Sequence, residues 1–192
     1  MSPIRASLLF ASLSLVAACG ASADKAAEAS AVATTPTPSV AAAAAAPVVA
    51  ALSEAEVRAV VDAAETASKN MDVDAAMATL SDDVTFTMVP PAASGAATHS
   101  MNRDEIAAEF RKTAKEASDR GYSSQVGNVR IADDGASAAV DVAVTEQMKY
   151  QGHKIVSLSD QTYTVASRQG KAKIVAMTTK MTGLTVDDVK RF

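Results

Sequence analysis

Apolar residues follow two different periods along the chain, and the change falls near residue 80. From Val57 onward they recur at helical spacing, whereas from Val84 to Met88 they alternate with threonines, as in a strand with one apolar face. Asp72 can cap a short helix over Val73–Leu80, because its carboxylate can accept a hydrogen bond from a free amide in the first turn. The pattern therefore predicts a long helix, a short helix and a strand.

Two capping boxes mark the beginnings of longer helices. Ser53 is followed three residues later by Glu56, and Asn102 is followed in the same way by Glu105. We expect the first helix to run to about residue 69, with Glu65 among the charged residues of its solvent face. The later helix is expected to stop at Gly121, since glycine is common just beyond a helix C-terminus.

The remaining sequence predicts a sheet. Asp134-Gly135 is a hairpin signal that would pair Val129 with Val140. Thr185–Phe192 is expected to be a charged tail with at most one helical turn. The predicted strands are Tyr122–Ala132, Ala136–Tyr150, Ile155–Arg168 and Lys171–Thr182. This order predicts an α+β domain, with a bent antiparallel sheet wrapped on helices around a cone-shaped pocket.

The N-terminal segment has the layout of a signal peptide. Arg5 precedes an apolar run over Ala6–Ala17, and Val16-Ala17-Ala18-Cys19 resembles a bacterial lipobox. The resemblance implies removal of residues 1–18 and lipidation of Cys19, since stable anchoring needs more than one acyl chain. The alternative is ordinary secretion with cleavage after Ala18, which would leave a free cysteine.

Residues 19–51 are rich in alanine, proline and threonine and have few bulky side chains. Such a segment cannot bury enough surface to offset its ordering entropy, so we predict a disordered tether. A folded domain over 52–183 and a tail over 184–192 would follow. Gly20 is not the aspartate of inner-membrane lipoproteins. In a Gram-negative cell this implies an outer-membrane protein that faces the periplasm.

Composition limits the partners. The formal net charge is −4 without a basic stripe, which argues against nucleic acid. Cys19 is the single cysteine, and the two histidines, His99 and His153, are far apart in sequence. We therefore predict no metal site and no cofactor. The membrane, a small molecule and a second copy of the chain remain as expected partners.

The layout resembles the nuclear transport factor 2-like superfamily, in its polyketide-cyclase-like and ketosteroid-isomerase-like branch. The matching stretches are Val57–Lys69, Asp72–Met77, Leu80–Phe86, Asn102–Ala117 and Lys173–Met181. The resemblance implies an apolar pocket inside a bent sheet and dimers formed through the outer sheet face. Family members include isomerases, dehydratases, cyclases and non-enzymatic binders. The isomerases use a tyrosine–aspartate pair and a second aspartate as base, and none of these can be placed on a residue of this chain.

One polar residue, Glu146, lies in the apolar phase of its strand. Tight turns at Gly152-His153 and Gln169-Gly170 would place it opposite Ser159 and on one face with Gln161, Tyr163, Thr178 and Lys180. The predicted pocket residues are Phe86, Phe110, Glu146, Gln161, Tyr163 and Lys180. Glu146 in an apolar cone would have a raised pKa and could act as an acid or base. We favour the simpler interpretation, a weak exposed ion pair between Glu146 and Lys180 at a wet rim.

The opposite strand phase is semi-apolar, and Asp160 is its single acid. Its residues are predicted to be Ala143, Thr145, Leu158, Thr162, Thr164, Val175, Met177, Thr179 and Met181. This face could form a dimer, which we favour on the family resemblance, or could be a solvated threonine-rich surface.

Three functions stay open. The first is an envelope-anchored lipoprotein that binds a small apolar or amphipathic ligand. The second is an isomerase, dehydratase or cyclase that uses Glu146 or Asp160 as general base. The third is an interaction module that presents its sheet face to an envelope partner.

Overall fold

A computed structural model of the chain describes residues 51–191. The predicted signal peptide, Cys19 and the tether up to residue 50 lie outside this range. The helices are α1 (Glu54–Asn70), α2 (Val73–Thr79) and α3 (Arg103–Glu116), with a 3₁₀ turn at Ala92–Ser94. The strands are β1 (Leu80–Val89), β2 (His99–Met101), β3 (Ala117–Ile131), β4 (Ser137–Tyr150), β5 (His153–Arg168), β6 (Lys171–Val186) and β7 (Val189–Lys190).

The predicted helix beginnings are confirmed. The backbone N–H of Ser53 donates to the Glu56 carboxylate over 2.9 Å, and the Glu56 amide donates back to the Ser53 hydroxyl. Asn102 and Glu105 form the same reciprocal pair at the start of α3. The Asp72 carboxylate accepts from the third amide of α2 over 3.0 Å. All three helices therefore begin where local capping chemistry dictates.

The strands form one curved, unclosed sheet in the order β2-β1-β6-β5-β4-β3, and β7 pairs with the end of β6. The expected α+β fold with a bent sheet is thus confirmed. One detail differs, because β1 and β6 run parallel whereas the other pairings are antiparallel. A parallel pair needs a long crossover, and here the chain between the two strands supplies α3 and four strands, β2 to β5.

The helices pack on one side of the sheet, which we call the inner face. Its core is built from aliphatic side chains of α1, α2, β1, β4, β5 and β6. The largest fully buried side chains are Val57, Val61, Val140, Val142, Val165 and Ile174. β-branched residues suit this position, because they pack well on a pleated surface.

The ends of two predicted elements differ from the structure. Gly121 does not end α3, which stops at Glu116, but lies inside β3. A Cβ on Gly121 would lie 2.8 Å from the side chain of Gln147, so the glycine serves a close approach between strands. The C-terminal segment contains no helical turn up to residue 191. Instead, Asp187 and Asp188 adopt left-handed φ values of 50° and 63° and turn β6 into β7.

The β3–β4 pairing is confirmed, with Val129 opposite Val140. The β4–β5 register differs by two residues, because the turn falls at Gln151-Gly152, and both residues have positive φ. Glu146 therefore faces Ser157 rather than Ser159. A shift of two keeps each side chain on its predicted face.

The turn at Gln169-Gly170 is confirmed, but irregular pairing farther along β5 and β6 changes the face of the last strand. The register slips by one residue between Thr164 and Val165 and again between Leu158 and Ser159. Such bulges invert the alternation of the strand beyond them. Thr178 and Lys180 consequently lie on the outer face, and Met177, Thr179 and Met181 lie on the inner face, contrary to prediction.

Candidate functional site

A band of polar side chains crosses the inner face of β3, β4 and β5 beneath α1. We call it the inner polar cluster. It consists of Glu65, Arg120, Tyr122, Glu146, Gln161 and Tyr163. The cluster includes three residues of the predicted pocket and adds three that the sequence analysis did not select.

Glu65 lies at the centre of this cluster and is only 6% exposed. The phenol of Tyr122 donates to one oxygen of its carboxylate over 2.8 Å, and the phenol of Tyr163 lies 2.6 Å from the other. Tyr163 Oη also lies 2.9 Å from the amide oxygen of Gln161. Because a phenol has one proton, Tyr163 donates to one of these two acceptors at a time. Glu65 is thus held between two tyrosines.

The predicted position of Glu65 on the solvent face of α1 is wrong, because the side chain is buried. Val57, Val61 and Glu65 are spaced by four residues and therefore lie on one stripe of the helix. This spacing was visible in the sequence. The charge of Glu65 favours a solvent position, because charged residues are rarely buried without partners.

Arg120 and Glu146 form the second part of the cluster. The guanidinium contacts the Glu146 carboxylate at 2.5 and 2.7 Å and donates to the Ser68 carbonyl near the end of α1 over 2.5 Å. It also lies 5.2 Å from the ring centre of Tyr122, within cation–π range. The predicted partner of Glu146, Lys180, is wrong, since Lys180 lies on the outer face opposite Asp160.

The other predicted pocket residues divide between the sheet and α3. Phe86 lies on the inner face of β1, where its register partners are Met101 and Met177. Phe110 packs from α3 against the core. The catalytic candidate Asp160 lies on the exposed outer face. The structure thus brings Gln161, Tyr163 and Glu146 into one band and leaves Asp160 and Lys180 outside it.

Beside the cluster, the inner face continues as a half-buried apolar surface, which we call the apolar inner wall. Its members on the sheet are Phe86, Met88, Met101, Met177 and Met181. The buried hydroxyl residue Thr179 lies among them and pairs with Gln161 across the strands. Flexible methionines around one aromatic ring make an adaptable apolar surface.

The electrostatics of the cluster favour protonated phenols. Burial and the adjacent Glu65 carboxylate raise the pKa of both Tyr122 and Tyr163 well above 10.0. Burial, with a hydrogen bond to Glu116, also raises the pKa of Tyr150. A phenolate next to a carboxylate in a buried place would suffer both repulsion and lost hydration.

These shifts predict a loss of stability in alkali. The unfolded chain releases its phenol protons near pH 10, whereas the folded chain retains them. The contribution of the protonated phenols to the free energy of unfolding is therefore fully present below about pH 10 and falls as the pH rises further. The chain has three tyrosines and no tryptophan, so tyrosinate absorbance reports these groups alone. We expect fewer tyrosinates in the folded chain than in the urea-unfolded chain at each alkaline pH. Equal titration curves would contradict the burial of the phenols.

Within residues 51–191, no group of histidine, cysteine or carboxylate side chains is arranged to hold a metal ion. No helix in the same range is long and apolar enough to cross a bilayer.

Comparison with known proteins supports the fold. No family model matches the chain, and no curated protein matches it. Among solved structures, a ketosteroid isomerase-like protein from Erwinia carotovora atroseptica is 22% identical, with a TM-score of 0.51 over 67% of this chain and 95% of that chain. A nuclear transport factor 2-like protein from Cytophaga hutchinsonii is 18% identical, with a TM-score of 0.53 over 68% and 99% of the two chains.

A hexachlorocyclohexane dehydrochlorinase is also similar, with 12% identity and a TM-score of 0.52 over 69% of this chain and 86% of that one. These neighbours are named for different functions but share one fold. The similarity therefore identifies an architecture rather than an activity. Residues 51–191 therefore have the nuclear transport factor 2-like fold that the sequence resemblance implied.

Proposed function

We propose that this chain is a lipid-anchored envelope protein whose domain binds a small apolar or amphipathic molecule on the apolar inner wall. The observation that carries the proposal is the partial exposure of Phe86, Met88, Met101, Met177 and Met181 on the concave side of the fold. Ligand sites are concave and mostly apolar, with a few polar groups that fix orientation. Polar groups on the same face include Gln161 and Thr179, His99 opposite Met88, and Ser159 opposite Met181.

The contacts of the carboxylates favour binding over acid–base chemistry. Glu65 accepts hydrogen bonds from two phenols, and Glu146 is paired with Arg120. A general base needs an oxygen within hydrogen-bond reach of the substrate proton. In this arrangement both oxygens of Glu65 and the Oε1 atom of Glu146 are already engaged by the protein, which supports a binding module.

The anchor is the second part of the proposal. The lipobox-like Val16-Ala17-Ala18-Cys19 supports a mature chain that begins with a lipidated Cys19 at the outer membrane of a Gram-negative cell. Intact-mass measurement of the membrane-extracted protein tests this directly. A mass that includes acyl chains on Cys19 supports the anchor, and an unmodified chain cleaved after Ala18 overturns it.

Native mass spectrometry of the chain, extracted gently from its host in detergent, tests the binding function. A retained small molecule that is released on unfolding supports the proposal.

The same spectrum reports oligomeric state. We also propose a homodimer through the outer face, where Leu158 is 46% exposed beside Thr145 and Asp160. A monomer at high concentration would overturn that assignment.

A polar substitution in the wall should weaken binding of an uncharged fluorescent probe such as N-phenylnaphthylamine. We expect Phe86→Gln to lower the affinity about tenfold, since part of an aromatic side chain's transfer energy is lost. Fluorescence titration measures the change. Leu158→Gln is the matched control, because it removes an apolar side chain from the outer face and should leave the affinity unchanged. If the two substitutions lowered the affinity equally, the probe would not bind on the apolar inner wall.

A further inference from the structure

A cleft of about 470 Å³ opens at a different part of the domain from the apolar inner wall. Its walls come from the end of α2, the beginning of β1, the first residue of α3 and the β5–β6 hairpin. The residues that matter for its chemistry are Ser81, Asp83, Arg103, Arg168, Lys171 and Lys173. None of them belongs to the inner polar cluster or to the apolar inner wall.

The cleft is positive in a chain that is negative overall. Four cationic side chains line it, against the carboxylates of Asp82 and Asp83, whereas the formal net charge of the chain is −4. Asp83 is already paired with Arg168 over 3.1 Å. The Asp82 side chain is fully exposed and lies 3.7 Å from Arg103 Nε, too far for a hydrogen bond. Local charge therefore favours an anion.

The cations keep free donors. Arg103 donates through Nη2 to the Met77 carbonyl over 2.9 Å, and Lys173 donates to the Ala78 carbonyl. Each of these side chains carries further N–H groups, since a guanidinium has five and an ammonium has three. Lys171 is exposed and forms no ion pair with any residue in 51–191.

Two buried donors in this wall lack a partner. Ser81 is 5% exposed, and its hydroxyl has no hydrogen-bond partner of acceptable geometry among the described residues. The hydroxyl lies near the Asp83 carboxylate, and this proximity, ahead of Arg168, lowers the pKa of that carboxyl. Arg103 Nε is likewise buried and unpartnered within the described part of the chain. Buried polar groups nearly always have hydrogen-bond partners. Two unpartnered donors beside a cleft therefore indicate that a bound group accepts from them.

We propose that this cleft binds the oxyanion group of a small molecule of sugar size, either a phosphate ester or a carboxylate. Ser81 and Arg103 would donate to the oxyanion, and Lys171 would supply attraction at the mouth. Charge-assisted hydrogen bonds of this type are strong and directional. The cleft is larger than a single oxyanion needs and falls in the range of small-molecule sites, so the remainder holds the uncharged body of the ligand.

Calorimetric titration of the full chain in detergent tests the site. The probes are glucose 6-phosphate, glucuronate, inorganic phosphate and uncharged glucose. We expect at least one of the sugar anions to bind more tightly than glucose, with an affinity that falls as salt is added. The sugar anion that binds more tightly, the phosphate ester or the carboxylate, identifies which oxyanion the cleft prefers. If no charged probe binds more tightly than glucose, the proposal is overturned.

Three variants locate the binding. Lys171→Gln is expected to weaken the sugar anion at least fivefold. Lys180→Gln is its matched control, because it removes the same charge from an exposed outer-face position and should leave binding unchanged. Ser81→Ala should weaken binding while its melting temperature stays equal to or above that of the parent, since it deletes an unsatisfied hydroxyl. Equal losses for Lys171→Gln and Lys180→Gln would overturn the site. A lower melting temperature for Ser81→Ala would overturn the role of its hydroxyl.

Discussion

Replacement of Arg120 by methionine is expected to lower the free energy of unfolding by about 2–3 kcal/mol, as measured by urea denaturation. The substitution leaves the Glu146 carboxylate without its cation and the Ser68 carbonyl without its donor. Removing one partner of a buried ion pair costs roughly 3–5 kcal/mol. We discount this value because the Glu146 side chain is 23% exposed and can recover part of its hydration.

Arg130→Met is the matched control for this prediction. Arg130 also pairs with a carboxylate on the neighbouring strand, at 2.6 Å from Asp141, but both side chains are 55% exposed. Exposed pairs contribute little, because water and salt already solvate the separate charges. If Arg130→Met destabilised the protein as much as Arg120→Met, burial of the Arg120–Glu146 pair would not explain the cost of losing it.

Glu65→Met should destabilise the protein by roughly 2 kcal/mol. The substitution removes the acceptor of two phenol hydrogen bonds, each worth about 1.5–3 kcal/mol when the acceptor is charged. Part of that loss is offset because a buried carboxylate no longer has to be desolvated. Urea denaturation again gives the change, at a pH well below 10 so that no phenol ionises.

A triple variant separates hydrogen bonding from packing. Glu65→Met combined with Tyr122→Phe and Tyr163→Phe replaces all three polar groups by apolar groups of similar shape. Such a replacement can be nearly neutral, whereas one left-over polar group is costly. We expect the triple variant to be more stable than Glu65→Met alone. If the triple variant were as unstable as Glu65→Met, the loss of stability would come from packing and not from unpartnered phenols.

Local chemistry explains which features could be predicted from the sequence. Helix caps at Ser53, Asp72 and Asn102 depend on residues at most three positions apart, and all three formed as expected. The turn at Gln169-Gly170 is similarly local. The role of Gly121 could not be predicted locally, because it is a close approach to Gln147, which is distant in sequence.

The candidate site was less predictable because it depends on long-range register. Counting outward from a hairpin turn assumes regular pairing, and two slips between β5 and β6 break that assumption. Lys180 was therefore assigned to the inner face in place of Thr179. Glu65 could have been recognised from its spacing with Val61. Its tyrosine partners are 57 and 98 residues away along the chain, so no local signal could indicate them.

The position of β6 between β1 and β5 has a consequence for how the chain acquires its structure. β1 is made early, but its parallel partner is the last long strand of the sheet. An emerging chain therefore carries an apolar strand with an unoccupied edge until almost the whole sequence is available. Such non-local closure makes folding slow and leaves the chain prone to aggregation until it is complete. The order of strands thus delays completion of the sheet until the β6 segment has been synthesised.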